Sequence, residues 1–303
     1  MRLRRIEKSL ARRVAAVALS MMIATSAMNV ECAVDAKKKM TVADIKASYV
    51  VADATTGEIL AAHKAGKKVY PASTTKVLTI CTILERMKAK GIKKNDYVKI
   101  TKKMIKSVPS GSKCAYIRKG KKYTYRDLIG LVMVVSAADA VQALNKALYK
   151  SDKAFTKDMN RVAAKIGMSK SHFDNGIGLD KGNGYNNIYT TADDMMKLEI
   201  YASNNHQLIN TMAKKKRIKV YDKSRKACHV FRSTNLFYRG FKYSKKRYKV
   251  VGMKTGYTSV AKHTLLTKTE AVLADRSLLV AVFNIGKKEN VYKDTKLLLD
   301  MYS

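Results

Sequence analysis

Residues 70–84 read Tyr70-Pro71-Ala72-Ser73-Thr74-Thr75-Lys76 and continue as Val77-Leu78-Thr79-Ile80-Cys81-Thr82-Ile83-Leu84. A proline followed by serine and threonine before a long apolar run is typical of a helix N-terminus. The run is apolar on almost every side, which is the pattern of a helix buried in a core. We therefore predict a buried helix whose first turn carries Ser73 and Lys76.

The Ser73/Lys76 pair has a spacing that suits nucleophilic chemistry. Residues i and i+3 share one face of a helix, so the lysine amine can reach the serine hydroxyl. A hydroxyl becomes a good nucleophile when a base accepts its proton, and lysine acts as that base only where burial and neighbouring cations lower its pKa. Backbone N–H groups at the helix N-terminus also favour a developing oxyanion.

The Ser-x-x-Lys pattern alone is weak evidence, because it occurs three times in this lysine-rich chain: Ser73/Lys76, Ser110/Lys113 and Ser259/Lys262. Only the first pair begins an apolar helix. From this pattern alone, a helix-capping serine beside a solvated lysine remains an equal alternative to catalysis.

The segments around this helix predict one sheet built from both ends of the chain. β-Branched residues and the turn at Gly57 predict a hairpin of Ser48–Asp53 and Glu58–Ala62, and the C-terminal part predicts strands Val250–Lys254, His263–Thr267 and Leu278–Asn284 with a final helix Glu289–Met301. The predicted helices between them are Asp127–Val135, Ala140–Leu148, Lys153–Ile166 and Thr191–Tyr201. We expect a helical insertion between the two parts of the sheet, and no second domain.

Composition excludes fibrous and disordered classes. The chain has 303 residues, 47% of them hydrophobic, and only two prolines. Its 61 Lys+Arg residues against 23 Asp+Glu give a net charge of +38. Such a surface favours a polyanionic neighbour, which charge alone leaves open between nucleic acid, anionic lipid and an acidic wall polymer.

The N-terminus predicts export. Basic residues, then the apolar run Val14–Met28, then small residues match a signal peptide at residues 1–36, with cleavage after Ala27 or Ala36. An amphipathic first helix of a cytosolic protein is the alternative. Export predicts an extracytoplasmic protein, which associates with a membrane only if the signal stays uncleaved. A wall polymer or membrane surface is then a better partner than nucleic acid, for which no recognition module is found.

Cysteine and histidine spacing predicts neither a disulfide framework nor a metal site. Outside the signal, Cys81, Cys114 and Cys228 are an odd number at irregular spacing, and buried free thiols are the expected state. The five histidines lack ligand spacing, so no metal and no cofactor are expected.

Two further motifs follow Ser73 and Lys76 in order. Ser136 lies at a break between two predicted helices, and Lys254-Thr255-Gly256 is the only Lys-Thr-Gly in the chain. Ser-x-x-Lys, a serine loop and Lys-Thr-Gly on a strand form the signature of penicillin-recognising serine enzymes. From about Ala47 to Tyr302 the chain resembles the D-alanyl-D-alanine carboxypeptidases, the low-molecular-mass penicillin-binding proteins of serine peptidase family S11.

The resemblance implies a fold and a domain plan. The fold is of the α/β (α+β) class and β-lactamase/DD-peptidase-like, with an antiparallel sheet flanked by helices plus an all-α subdomain. Residues 37–303 would form the catalytic domain, without the C-terminal β domain that many family members carry.

The resemblance also implies roles for individual residues. Ser73 would attack the carbonyl between two terminal D-alanines, Lys76 would take its proton, and Ser136 would relay a proton to the leaving amine. Lys254-Thr255-Gly256 and Tyr257 would bind substrate, and a carboxylate suits Lys254 and Thr255 on physical grounds as well. The backbone N–H groups of Ser73 and Tyr257 would form the oxyanion hole. The implied partners are peptidoglycan stem peptides as substrate and β-lactams as covalent inhibitors, beside anionic wall polymers or a membrane surface.

Two positions depart from the family pattern. Ala138 stands where the motif Ser-x-Asn has asparagine, and Val251 stands where Asp is common before the glycine. Losing one active-site hydrogen bond costs about 2–4 kcal/mol in the transition state. A penicillin-binding wall protein with low hydrolytic activity therefore remains an alternative. A β-lactamase-like hydrolase is a second alternative, although no glutamate motif for fast deacylation is identified. A basic nucleic-acid or membrane-surface binder, which rests on charge alone, is another.

Overall fold

The computed structural model describes residues 41–221 and 228–303. The predicted signal peptide and its cleavage sites lie outside the described residues. A first unit ends at Asp44, and in its described residues Val42–Asp44 form a 3-10 turn. The second unit runs from Ile45 to Ser303.

A five-stranded antiparallel sheet forms the centre of the second unit, with strand order β2-β1-β9-β8-β7. These strands are β1 (Ser48–Asp53), β2 (Ile59–His63), β7 (Tyr248–Thr258), β8 (Lys262–Ala271) and β9 (Leu278–Ile285). The first two come from the N-terminal part and the last three from the C-terminal part. The prediction that one sheet is assembled from both ends of the chain is therefore confirmed.

Helices occupy the middle of the chain and its C-terminus. Those of the described residues are α1 (Lys76–Ala89), α2 (Lys102–Lys106), α3 (Tyr125–Gly130), α4 (Ala138–Leu148), α5 (Asp152–Ile166), α6 (Ala192–Asn205), α7 (Gln207–Ala213) and α8 (Lys288–Tyr302). Helix α6 packs against β1 and β9, and α8 packs against β8 and β9. Helix α1 packs against α4, α5 and α6, and its residues from Lys76 to Ile83 are all buried. The predicted buried helix is confirmed.

Two small antiparallel pairs lie among the helices and were not predicted as hairpins. They are β3 (Tyr97–Lys99) with β4 (Lys122–Thr124), and β5 (Arg217–Tyr221) with β6 (Cys228–Arg232). In β5 exposed and buried residues alternate, because polar and apolar residues alternate in its sequence from Arg217 to Val220. That alternation is the sequence signal of a half-buried strand. Helix α7 was missed as well.

The C-terminal strands are longer than predicted. β7 continues through the Lys-Thr-Gly motif to Thr258. Every residue from Lys254 to Thr258 pairs with a residue of β8, and the last pair is Thr258 with Lys262. The motif therefore lies inside the strand rather than at its end. No helix in residues 41–221 or 228–303 combines the length and the apolar character needed to cross a bilayer.

The free cysteines differ from expectation at one position. Cys81 is buried and unpaired, as expected, whereas Cys114 is only partly buried. Cys114 lies in the irregular segment between α2 and β4.

Candidate active site

Ser73 and Lys76 meet where a 3-10 turn, Ala72–Thr75, runs into α1. Lys76 Nζ donates a hydrogen bond to Ser73 Oγ at 2.9 Å and another to the carbonyl oxygen of Ile177 at 2.6 Å. The lysine side chain is 1% exposed. Burial lowers the pKa of Lys76 to about 7, so near neutral pH a large fraction of this amine is free to accept a proton.

The loop that carries the Ile177 carbonyl is held by Asn175. Its Oδ1 accepts hydrogen bonds from the N–H groups of Ile177, Gly178 and Leu179, and its Nδ2 donates to the Leu179 carbonyl. One side chain thus closes the loop on itself and directs the Ile177 carbonyl at Lys76. Asn175 was not singled out in the sequence, although its position among several glycines is typical of a residue that organises a turn.

Ser136 follows a π-helical turn, Leu131–Val135, and has left-handed backbone angles of φ 67° and ψ 31°. π-Helical turns inside helices occur frequently at functional sites. The π-helical turn continues α3 as far as Val135, the residue before Ser136. The next helix, α4, starts at Ala138. The predicted break between two helices is confirmed.

Ala138 and Asp139 anchor residues 113–117, and Lys113 of this segment lines the same cleft as Ser136. The Ala138 N–H donates to the Lys113 carbonyl at 2.7 Å, and the buried Asp139 carboxylate accepts from the N–H groups of Ala115 and Ile117, both at 3.0 Å. The Ala138 side chain is fully buried and offers no hydrogen bond. The half-buried thiol of Cys114 is close enough to Lys76 to influence its pKa.

Replacing Asp139 by asparagine should destabilise the fold by about 1–3 kcal/mol, because an amide nitrogen would face a backbone N–H that has lost its acceptor. The measurement is urea unfolding. Asp275→Asn, at an exposed carboxylate, is the control and should change the free energy of unfolding by less than about 0.5 kcal/mol. Equal stability of the two variants would show that Asp139 does not hold the 113–117 segment.

β7 places its motif beside Ser73. Lys254 is 1% exposed, and its Nζ donates to the Thr255 carbonyl at 2.9 Å. Burial, and then the nearby ammonium groups of Lys76 and Lys113, lower the pKa of Lys254. A bound carboxylate would act in the opposite direction and favour its protonated form.

The close approach of β7 to the Ser73 turn depends on Gly256. A Cβ at this position would overlap Thr264 Oγ1 and would lie 3.1 Å from the Cβ of Ala72. Only glycine lets the strand pass so near the turn that carries Ser73. The next residue, Tyr257, is 58% exposed and stacks on His263 with ring centroids 4.4 Å apart.

The predicted residues converge on one cleft of about 320 Å³. Five of them line it: Ser73, Ser136, Thr255, Gly256 and Tyr257. The other two, Lys76 and Lys254, are buried beside it, the first hydrogen-bonded to Ser73 and the second near Lys76. Three sequence motifs that are far apart in the chain therefore meet in a single place.

The lining residues that sequence analysis missed include Lys113, Thr234, Arg239 and Lys288. Thr234 Oγ1 is 2.7 Å from Thr255 Oγ1, so it helps to orient that hydroxyl. Burial, and then the nearby charges of Arg239 and Lys288, lower the pKa of Lys113. No carboxylate is among the described residues that line the cleft. The site is therefore suited to an anionic ligand.

The family model for D-alanyl-D-alanine carboxypeptidases matches residues 35–286. The chain belongs to this family. The resemblance drawn from the three motifs is confirmed. Within the described residues, no group of three or more His, Cys, Asp or Glu side chains is arranged to hold a metal ion.

Curated relatives carry the same family name. The chain is 25% identical over 246 residues to D-alanyl-D-alanine carboxypeptidase DacF of Bacillus subtilis, covering 80% of this chain and 58% of the relative. It is 31% identical over 146 residues to D-alanyl-D-alanine carboxypeptidase DacC of Escherichia coli, covering 47% and 36%. The chain thus spans little more than half of one relative and about a third of the other.

Solved structures show the same fold. The Streptomyces K15 DD-transpeptidase superimposes with a TM-score of 0.72 at 22% identity, covering 84% of this chain and 95% of that one. Penicillin-binding protein D2 of Listeria monocytogenes, solved in its ampicillin-bound form, gives 0.69 at 24% identity with the same coverage. The predicted fold class, an antiparallel sheet with flanking helices as in DD-peptidases, is confirmed.

Proposed function

We propose that this chain is an extracytoplasmic serine-type D-Ala-D-Ala carboxypeptidase that removes the terminal D-alanine of peptidoglycan stem peptides. The observation that carries the proposal is the 2.9 Å hydrogen bond between Ser73 Oγ and the buried Lys76 Nζ, in a cleft that Ser136 and Thr255 also line. Residues 1–36 would be the export signal and residues 37–303 the catalytic domain.

Acylation starts with Ser73. Its Oγ bonds to the carbonyl carbon of the penultimate D-alanine while its proton passes to the neutral amine of Lys76. The carbonyl oxygen becomes an oxyanion, which the N–H groups of Ser73 and Tyr257 would stabilise. The C–N bond then breaks as Ser136 relays a proton to the leaving amine. Free D-alanine leaves and an ester remains on Ser73.

Deacylation and substrate binding use the same cleft. Water attacks the ester carbon, the stem peptide leaves with a new carboxylate, and Ser73 Oγ regains a proton. The terminal carboxylate of the substrate would bind at Lys254 and Thr255, with Arg239 and Lys288 adding positive charge at the same cleft. Since Lys254 is buried, the carboxylate would be bound in a setting where water screens charges poorly.

The proposal is tested by incubating the protein with a fluorescent penicillin and, separately, with a D-Ala-D-Ala peptide. Stable labelling together with D-alanine release is expected, and Ser73→Ala should abolish both. Ser110→Ala, in the second Ser-x-x-Lys, is the matched control and should retain both.

Other outcomes of this experiment favour the alternatives. Labelling without D-alanine release would support a penicillin-binding wall protein of low hydrolytic activity, consistent with the alanine at position 138. Rapid turnover of penicillin would support a β-lactamase-like hydrolase. If the folded protein shows no labelling and releases no D-alanine, the assignment is refuted.

Thr234→Val should raise the KM for the D-Ala-D-Ala peptide about 2- to 10-fold with a smaller effect on kcat. The reason is that the Thr255 hydroxyl loses the hydrogen bond that orients it towards the substrate carboxylate. Steady-state kinetics measure this. Thr211→Val on the exposed face of α7 is the control, and an unchanged KM in Thr234→Val would show that Thr255 needs no such support.

A further inference from the structure

A second and larger cleft, of about 1030 Å³, shares no lining residue with the Ser73 cleft. It is formed by the segment 237–251 together with residues from the end of α7 and from the loop after β8. Six lysines line it: Lys214, Lys216, Lys242, Lys245, Lys246 and Lys249. All six are exposed, and no Asp or Glu is among its described lining residues.

Most of this positive charge is not neutralised. Of the six lysines only Lys214 forms an ion pair within the part of the chain that the structure describes, and its partner is Glu270. Several free ammonium groups around one concavity produce a strong local potential that concentrates anions. A basic stretch such as residues 214–217 is usually a solvated face, but here it borders a cleft with a defined floor.

The floor of this cleft is rigid and partly aromatic. Phe237 is 4% exposed and packs edge-to-face against Phe241 and Tyr243, with centroids 5.3 Å apart in both pairs. Tyr243 stacks on Tyr248, and the Tyr238 hydroxyl donates to the Ala213 carbonyl at 3.1 Å. The floor therefore has a fixed shape, because its rings pack against one another.

We propose that this cleft binds a linear polyanionic wall polymer, a chain of sugar or polyol units that carries phosphate or carboxylate groups. Repeating negative charges match six exposed lysines around one cleft, and a volume of about 1030 Å³ is far larger than a single ion needs. A concave site fits a chain better than it fits the flat surface of a bilayer. Nucleic acid binding without sequence readout relies on aromatic faces free to stack bases, whereas these rings are packed against one another.

The segment Leu236–Phe241 separates the two clefts. Phe237 lines the basic cleft and Arg239 lines the Ser73 cleft, while the ring of Tyr292 packs against Phe237 and also lines the Ser73 cleft. A polymer held in the basic cleft would keep the protein next to the wall in which stem peptides are found. Polymer binding is independent of the chemistry at Ser73, so either proposal can fail without the other.

The experiment compares two variants that each lose four positive charges. The first replaces Lys242, Lys245, Lys246 and Lys249 by glutamine. The second, the matched control, replaces the exposed Lys88, Lys90, Lys93 and Lys94, which lie at the end of α1 and after it. Binding is measured by fluorescence anisotropy with labelled poly(glycerol phosphate), labelled polygalacturonate and a neutral dextran of similar length, and folding by thermal unfolding.

The wild-type protein should bind at least one of the two anionic polymers and not the dextran, and affinity should fall as salt is added. The polymer that binds more tightly identifies the charged group as phosphate or carboxylate. An exposed ion pair contributes a factor of about 1.4 to 5, so the loss of four lysines should weaken binding by the cleft variant about fourfold or more. The control variant should lose no more than about twofold, and Ser73→Ala should bind as the wild type does.

Two results would overturn the proposal. Equal losses in the two lysine variants would mean that binding follows net charge and not the cleft. Tighter binding of oligothymidylate, or of phosphatidylglycerol vesicles, that depends on the cleft lysines would assign the cleft to nucleic acid or membrane instead.

Discussion

Replacing Lys76 by glutamine is expected to slow acylation of Ser73 by penicillin about 10²- to 10⁴-fold, the range that general base catalysis contributes. Glutamine keeps much of the length of the side chain and can still donate to the Ile177 carbonyl, but it cannot take the Ser73 proton. The second-order rate of labelling is the measurement. Lys262→Gln, in the third Ser-x-x-Lys of the chain, is the control and should label at the wild-type rate.

The pH dependence gives a second test of Lys76. Because burial lowers the pKa of Lys76 to about 7, the ammonium form dominates below that pH and cannot act as a base. The wild-type labelling rate should therefore fall about tenfold for each pH unit below 7 and level off above it. The residual labelling rate of Lys76→Gln should not show this fall below pH 7. A variant that keeps both the rate and the fall would exclude Lys76 as the base.

Stability should respond to the same group with a defined sign. Between pH 7 and about 10.5 an unfolded chain carries a proton on Lys76, whereas the folded protein does not. The unfolded state then binds more protons, so the contribution of Lys76 to the free energy of unfolding rises with pH across this window. The difference between wild type and Lys76→Gln in urea unfolding, measured at several pH values, reports this contribution together with the change in the pKa of Lys254, which the charge of Lys76 lowers.

Lys76→Arg separates proton transfer from charge. Arginine keeps a cation near Ser73 but does not lose its proton in proteins. If Lys76 acts as a base, the arginine variant should be as slow as the glutamine variant. A rate close to wild type would mean that Lys76 acts by electrostatic attraction alone.

The nucleophile and its partners could be predicted because each motif carries a local physical signal. Proline and serine before an apolar run mark the N-terminus of a helix, and the turn before α1 places Ser73 and Lys76 within hydrogen-bond distance. Lys254-Thr255-Gly256 lies in a run of strand-forming residues. The sheet that joins both chain ends then brings these motifs together, as the pattern of strands and helices indicated.

The remaining part of the site depends on tertiary structure that no local pattern encodes. Lys113, Arg239 and Lys288 come from three distant segments, and in a chain with 61 Lys+Arg residues none of them stands out. The π-helical turn before Ser136 has the sequence Leu-Val-Met-Val-Val, which fits an ordinary buried helix equally well. Its geometry follows from packing.

Gly178→Ala should be among the most damaging substitutions in the chain, with a loss of about 3–5 kcal/mol in the free energy of unfolding. Gly178 has a φ of +88°, and a Cβ there would overlap the carbonyl group of Ala72, the residue before Ser73. A backbone carbonyl cannot rotate away as a side chain can. The Ala72–Ser73 turn and the Ile177–Gly178 loop would have to move apart.

Gly184→Ala is the matched control for this prediction. Gly184 has nearly the same φ, +85°, but nothing lies within 4 Å of the position that its Cβ would occupy. Its substitution should cost only the left-handed strain of about 1–2 kcal/mol. The two variants differ in the space around the new methyl group and hardly at all in backbone angle, so urea unfolding of both measures the clash itself.

The Gly178 variant should also lose function beyond its loss of stability. Because the Ile177 carbonyl accepts a hydrogen bond from Lys76 Nζ, separating the loop from the turn displaces the amine from Ser73 Oγ. A misplacement of about 1 Å can cost about 10²-fold in rate, so penicillin labelling of the folded fraction should slow by about that factor, while Gly184→Ala labels almost normally. Equal stability and equal labelling in the two variants would show that the loop does not position Lys76.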